Sequence, residues 1–375
     1  MTTQHNVEPA SLVGKNVGSY RISGELARGG MGVVYEAVHE TLGHRAAVKV
    51  LAEELQKDPK YAMYAKRFFN EARALTIIQH PGIVKLYDHG QFPDGTVYIL
   101  MEFLEGESLL ARIESGGKAG TGQPWLPMAD VFRIGRQIAS ALAAAHKKSI
   151  IHRDLKPANI MLVPDAEAPE GERAKILDFG IARFLDSPTR RTATGALMGT
   201  PTYMSPEQCL GSEVDEKTDV YSLGIIMYLM LVGTPPFSRG NVTDILVAHV
   251  KEPPPALRNQ VSSIPEALHQ LVHQMLAKPA ADRPTMADVV ARLKSIEQAW
   301  VTAASPQSTP AQDQPGSHPA AQTRMFDVRD RYSPHLPTRI VEPSRLDAMP
   351  LRMALIGIGT AVGIGVLIWL IRSLF

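Results

Sequence analysis

"IHRDLKPANIML", residues 151–162, sets Asp154, Lys156 and Asn159 in a short polar stretch between apolar neighbours. Asp154 and Asn159 stand five positions apart, and Pro157 lies between them. Proline has a fixed φ and no backbone N–H, so it keeps the loop non-helical and lets the acid and the amide converge on one place. The question is which chemistry needs an acid, a cation and an amide at that spacing.

Working outward, a helical pattern over 128–148 precedes this stretch. "KILDFGIAR" (175–183) follows, with Asp178 after a short strand and Asn159 at the start of another. Further upstream, Lys49 ends the strand-like "RAAVK" among small apolar residues. A lysine there can simply snorkel to solvent. Glu71, in the middle of the helix-like "YAMYAKRFFNEARALTII", offers a partner that would hold the ammonium in a cleft. Nearer the front, "LARGGMGVVY" (26–35) places Gly29, Gly30 and Gly32 between two strands. Missing side chains let backbone N–H groups approach an anion, although a plain hairpin turn reads the same way. It is not a dinucleotide fingerprint, because a strand follows it, and no Walker A pattern occurs.

Phosphoryl transfer requires a carboxylate to orient and accept the proton of an attacking hydroxyl, oxygen ligands for Mg²⁺, and cations around developing charge. Asp154 supplies the first, Asn159 and Asp178 the second, Lys49 and Lys156 the third. Residues 20–102 read as short strands around one helix and 103–300 as mostly helical, with segments near 128–148, 218–233, 265–276 and 285–298. That is an α+β bilobal plan with room for a ligand between the halves. "ESGGKAGTGQPW" (114–125) and "PDAEAPEGERA" (164–174) read as surface insertions from their Gly, Pro and charge content.

With these stretches in place the sequence resembles the protein kinase family, specifically the eukaryotic-like (Hanks-type) serine/threonine kinases of bacteria. The resemblance covers about 20–300 and rests on the glycine loop, "AAVK", Glu71, "HRDLKPAN", "DFG", "GTPTYMSPE", "DVYSLG" and "DRP" in that order. It implies a kinase fold with a β-rich and a helical lobe, ATP as phosphoryl donor, and Mg²⁺ (with Mn²⁺ as substitute) on Asn159 and Asp178. Asp154 would be the base, Lys156 the γ-phosphate contact, and Lys49 the contact to the α- and β-phosphates under guidance from Glu71. Leu26, Ala27, Arg28, Gly29, Gly30, Met31, Gly32 and Val33 would cover the nucleotide. Val34, Ala47 and Met161 would sandwich adenine, with backbone contacts from Glu102 and Leu104 and Met101 as gatekeeper. Thr200 would lie near Asp154 and seat the acceptor hydroxyl. Lys156 together with Thr200 is similar to the serine/threonine branch.

The resemblance also makes His152, Phe179, Leu75, Leu86 and Asp219 a packing spine, and Glu207 with Arg283 a buried pair. Two positions depart from the family pattern. Ala27 stands where the first loop glycine is expected, and Ser205 replaces the alanine of "APE"; both substitutes are small, so neither is expected to matter much. Arg153 before Asp154 is similar to kinases switched by phosphorylation. That makes autophosphorylation of Thr192 or Thr194, among Ser187, Thr189, Thr192 and Thr194, an expectation; solvated loop hydroxyls are the alternative.

The 375 residues, 45% apolar and 21% charged with net charge +1, provide ample core and no general nucleic-acid-binding surface. The lone Cys209 excludes an internal disulfide and fits a reducing compartment. Residues 1–19 read as a flexible lead without a signal-peptide layout, and 301–350, rich in Pro, Ser, Thr and Gln, as a disordered tether. "MALIGIGTAVGIGVLIWLI" (353–371) is free of charge and as a helix would rise roughly 28 Å, close to bilayer thickness. A single transmembrane helix over 351–373 is therefore expected. Arg339, Arg345 and Arg352 before it against Arg372 after it would leave the kinase domain on the cytoplasmic side of the inner membrane. Gly357, Ala361 and Gly365, and Gly359 with Gly363, allow a homodimer through that helix. His269 and His273 lack a third metal ligand and read as helix surface. Two rivals to an active protein kinase remain. A pseudokinase is disfavoured by the presence of Lys49, Asp154 and Asp178, and a small-molecule kinase by the long 178–207 segment.

Overall fold

The computed structural model describes residues 12–29, 32–56, 58–117, 122–168, 170–179 and 201–304. Gly30, Met31, Thr200, the hydroxyls at 187–194, the tether from 305 and the 351–373 segment lie outside these residues. Among the described residues no helix is long and apolar enough to cross a membrane.

Strands β1 (Asn16–Val17), β2 (Tyr20–Gly29), β3 (Gly32–His39), β4 (Arg45–Leu51), β5 (Leu86–Gln91) and β6 (Val97–Glu102) form one antiparallel sheet in the order β1-β2-β3-β4-β6-β5. β4 lies inside it, and its run of Ala and Val is explained by cover on both faces. Ala46, Val48 and Val50 pack with Ile22, Val33, Tyr35 and Leu100 on one side. Ala47 and Leu51 pack on the other with Phe68, Ala72 and Leu75 of α2 (Tyr61–Ile77), which follows the single-turn α1 (Glu53–Gln56). Successive strand side chains alternate faces, so Lys49 shares its face with Ala47 and Leu51 and is directed at α2. Glu71 lies on the buried stripe of that helix with Phe68, Ala72 and Leu75.

The second lobe opens with β7 (Glu107–Ser108), α3 (Leu109–Ser115) and the long α4 (Met128–His146). The hairpin β8 (Ile160–Pro164) and β9 (Glu172–Ile176) pairs with β7. α6 (Lys217–Val232) is buried around its whole circumference, apolar from Leu223 onward and with Thr218, Asp219 and Ser222 as buried polar residues in its first turns. It packs against α4 and against α8 (Glu266–Met275), while α4 also carries α9 (Met286–Ala304).

Several expectations need correction. The supposed lead is packed from Leu12 onward: Leu12 and Val17 are buried, and Val17 pairs with Tyr20. Pro157 does not prevent helical geometry; Pro157–Asn159 is one 3-10 turn with the proline at its start, where an N–H would have no partner anyway. Asn159 therefore precedes β8 and does not open it. The 164–174 insertion includes the start of β9 and buries Ala168. α9 continues to Ala304, past the expected end of the domain at 300. Four short helices escaped the periodicity reading: α1, α3, α5 (Pro206–Leu210) and α7 (Val242–Lys251), the last two opened by capping boxes at Ser205 and Asn241.

Candidate active site

The face shared by β4 and α2 brings Lys49 Nζ to 2.9 Å from Glu71 Oε1 and 2.8 Å from Asp178 Oδ1. Lys49 and Glu71 are nearly sealed, with 13% and 7% of their side chains exposed, whereas Asp178 at 46% stands at the cleft mouth. Burial opposes the Lys49 ammonium, but Asp178 and Glu71 outweigh it and hold the group above the usual lysine range. Burial raises the Glu71 carboxyl against the pull of Lys49. For Asp178 the balance reverses: burial is overcome by Lys49, and the carboxyl is held below its ordinary value. Asp178 has φ +46°, a left-handed conformation that a non-glycine residue adopts only where its surroundings impose it.

On the opposite side of the cleft, Asp154 Oδ2 accepts from Lys156 Nζ at 3.1 Å and from Asn159 Nδ2 at 3.4 Å. Asn159 Nδ2 also donates to the Asp154 carbonyl at 3.0 Å, and Leu177 N donates to the Asn159 carbonyl at 2.8 Å. The turn containing Asn159 is thereby tied to the strand that delivers Asp178. With its amide nitrogen bonded to Asp154, Asn159 keeps its Oδ1 lone pairs for a cation. An amide oxygen plus a carboxylate suits Mg²⁺, which keeps several waters and takes its remaining oxygens from substrate phosphates.

Beneath this loop Asp219 is fully buried and holds three groups. Its Oδ2 accepts from His152 N at 2.8 Å and contacts His146 Nε2 at 2.8 Å; its Oδ1 accepts from Arg153 N at 2.9 Å. Burial of Asp219 is outweighed by its hydrogen bond from His146, so the carboxyl stays below its usual value. His152 lies 4.7 Å from Phe179, centroid to centroid, and its Nε2 meets the Leu177 carbonyl at 2.9 Å. Leu75 is buried and Leu86 packs against the same core. At the base, Arg283 contacts both oxygens of Glu207 at 2.8 and 2.9 Å.

Of the residues expected to cover a nucleotide, those described lie in the β2–β3 hairpin, with Ala27 opposite Val34, Arg28 opposite Val33 and Gly29 opposite Gly32. Leu26 is exposed and Arg28 pairs with Glu25. Gly32 is required sterically, since a Cβ there would sit 2.2 Å from the Val50 carbonyl oxygen. Ala47 is buried, and Val34 and Leu104 pack at the edge of the core. Met161 pairs with Lys175 across β8–β9. The Glu102 N–H is already donated to the Lys85 carbonyl at 2.9 Å, so a ligand contact from Glu102 falls to its carbonyl. A separate cavity of about 810 Å³ lies between α4, α9 and the β8–β9 loop, with Arg136, Ser140 and Lys294 among its lining. It contains none of the groups described above.

Sequence reasoning missed three contributors. Lys175 grips both carboxylate oxygens of Glu102 at 2.7 Å. His146 and Gln208 are the others; Gln208 Nε2 donates to the Arg153 carbonyl at 2.7 Å. Lys175 and His146 belong to no local pattern, because their partners come from distant parts of the chain. Gln208 does complete the local S-x-x-Q capping box of Ser205, and only its bond to the Arg153 carbonyl is long-range. Ser205, expected to be a neutral small substitute, caps α5: its hydroxyl accepts from Gln208 N at 3.4 Å, and its own N–H donates to Gln208 Oε1 at 3.0 Å.

The protein kinase domain family matches residues 20–293. The serine/threonine-protein kinase Pkn1 of Myxococcus xanthus is 41% identical over 273 residues, covering 72% of this chain and 37% of that protein. PknA of Mycobacterium tuberculosis is 36% identical over 286 residues, covering 74% of this chain and 62% of that protein. The crystal structure of the PknI kinase domain of Mycobacterium tuberculosis superposes with a TM-score of 0.57 at 25% identity, covering 76% of this chain and 100% of that one. The chain spans between 36% and 62% of the length of these and other curated relatives it matches.

Proposed function

The chain belongs to the protein kinase family, and on that premise we propose that it transfers the γ-phosphoryl group of ATP to serine or threonine hydroxyls of proteins. The observation that carries this reading is the joined pair of contacts from Lys49, one to Glu71 and one to Asp178. They align the ammonium for phosphate oxygens from one lobe with the metal-binding carboxylate of the other. Asp154 is the group that orients the acceptor hydroxyl and receives its proton, and Lys156, 3.1 Å from Asp154, balances charge there. Asn159 and Asp178 would hold Mg²⁺, which would supply positive charge to neutralise the phosphates. The Ser/Thr assignment is supported by Lys156 and by the names of the kinases that the chain resembles.

The finer reading adds three elements outside the described residues. Thr200 seats the acceptor hydroxyl, Thr192 or Thr194 is autophosphorylated, and 351–373 tethers the domain to the inner membrane with the catalytic lobes in the cytoplasm and a helix that can pair with a second copy. Arg153, whose Nε is buried without a hydrogen-bond partner among the described residues, is the receptor for the loop phosphate.

The test is labelled-ATP transfer by the full chain, wild type against Asp154→Asn. Acceptor sites are mapped by mass spectrometry, and the same cells are fractionated into membrane and soluble pools. Ser/Thr transfer lost by at least a hundredfold in Asp154→Asn is expected. An Asp154→Asn chain that transfers at the wild-type rate sinks the reading. Recovery of the full chain in the soluble pool removes the tether alone.

A further inference from the structure

Arg153 is one of three described non-glycine residues with positive φ, at +66°, and it immediately precedes Asp154. A side chain in that conformation relaxes to a commoner one unless its two peptide groups are held. The N–H of Arg153 is held by Asp219 Oδ1 at 2.9 Å. Its carbonyl is held by Gln208 Nε2 at 2.7 Å, and the N–H of the same peptide unit, belonging to Asp154, donates to the His152 carbonyl at 2.9 Å. The plane of the 153–154 peptide is thus pinned at both ends, and that plane sets the direction in which the Asp154 side chain leaves the backbone.

Gln208 does more than hold one carbonyl. Its side chain is 3% exposed, and its Oε1 accepts from Ser205 N at 3.0 Å. Ser205 ends the segment 201–204, which is itself fastened to α6 by Ser222 Oγ donating to the Tyr203 carbonyl at 2.8 Å. One amide therefore donates to the catalytic loop with its nitrogen and accepts from the segment beside the acceptor seat with its oxygen. A buried amide satisfied at both ends has little freedom to reorient, since turning it would leave polar groups unpaired in the core.

We propose that Gln208 is a positioning residue for phosphoryl transfer, which holds the Arg153–Asp154 peptide in register with the 201–205 segment. The proposal rests on the kinase reading above and assigns a residue outside its catalytic set. Gln208→Glu is nearly isosteric and keeps the acceptor for Ser205 N, but sets a carboxylate oxygen against the Arg153 carbonyl. Gln208→Met removes both bonds without adding charge.

The experiment uses the full chain with ATP and dephosphorylated casein, alongside hydrogen exchange by mass spectrometry over residues 150–160. Gln208→Glu is expected to lower kcat at least tenfold at pH 8 with KM for ATP within twofold of wild type. Its kcat relative to wild type should rise as pH falls to 6, because the protonated carboxyl can donate to the Arg153 carbonyl. Gln208→Met should show the loss without the recovery, and both variants should exchange faster than wild type over 150–160 at pH 8. Wild-type kcat in both variants, loss shared equally between kcat and KM, or unchanged exchange overturns the proposal. A wild-type chain inactive on every acceptor overturns the kinase reading instead, and the exchange comparison then decides the role of Gln208 by itself.

Discussion

Arg283 gives the sharpest stability prediction. Its side chain is fully buried, and five hydrogen bonds use every N–H direction of the guanidinium: two to Glu207 and one each to the carbonyls of Lys217, Ala277 and Lys278. The ring of Tyr221 lies 4.9 Å from the guanidinium carbon. Burial of Glu207 is outweighed by its bonds from Arg283, which keep the carboxyl below its usual range. Arg283→Met fills similar volume but leaves a carboxylate and three carbonyls without that donor. Removing one partner of a buried pair costs roughly 3–5 kcal/mol. Thr218 Oγ1 remains on Glu207 Oε1 at 2.6 Å, which keeps the carboxylate from being wholly orphaned and sets the expectation at about 4 kcal/mol. At roughly 2–4 °C per kcal/mol for a domain of this order of size, the melting temperature should fall by about 10 °C. Circular dichroism melts of the full chain read this directly. Combining Arg283→Met with Glu207→Met should recover part of the loss, since an apolar replacement of a buried pair is often close to neutral. A single Arg283→Met variant within about 1 kcal/mol of wild type would refute the claim that this pair anchors the helical lobe.

Two further predictions concern stability against pH and the glycine loop. His249 is fully buried, its Nδ1 lies 2.9 Å from Tyr221 Oη, and burial followed by the Lys278 charge lowers its pKa to about 3. The unfolded chain therefore binds the extra proton first as pH falls below about 6.5. Stability that is complete above that pH should drop by about 2 kcal/mol between pH 7 and pH 5 through this group. Urea midpoints should show that slope flattened by the same amount in His249→Gln; an identical pH slope in both chains contradicts the assignment. In Gly32→Ala the new Cβ would meet a backbone oxygen at 2.2 Å, so β3 must move off β4. ATP affinity, measured by calorimetry, should fall at least tenfold, and unchanged affinity would mean the loop does not approach the nucleotide as its register implies.

Much of the fold was legible because its signals are local. "RAAVK" read as a strand and 218–233 as a helix from their own residues, and both stand in the structure as β4 and α6. Short elements were not legible: α5 and α7 are stabilised by caps and packing, and five or ten residues offer too few turns for a period to register. Pro157 shows the same limit at one residue. Its chemistry forbids a helix interior but welcomes a helix start, and only the surrounding chain decides between them.

By itself the amino-acid order determined which groups are available for phosphoryl transfer and the sequence of elements that carries them, since motif spacing, strand alternation and helix period are properties of neighbouring residues. Only the tertiary structure decided what pins those groups: Gln208 on the Arg153 carbonyl, Lys175 on Glu102 and His146 on Asp219. The reason is physical. A hydrogen bond between residues far apart in the chain depends on distance and direction in three dimensions, and neither leaves a trace in local composition.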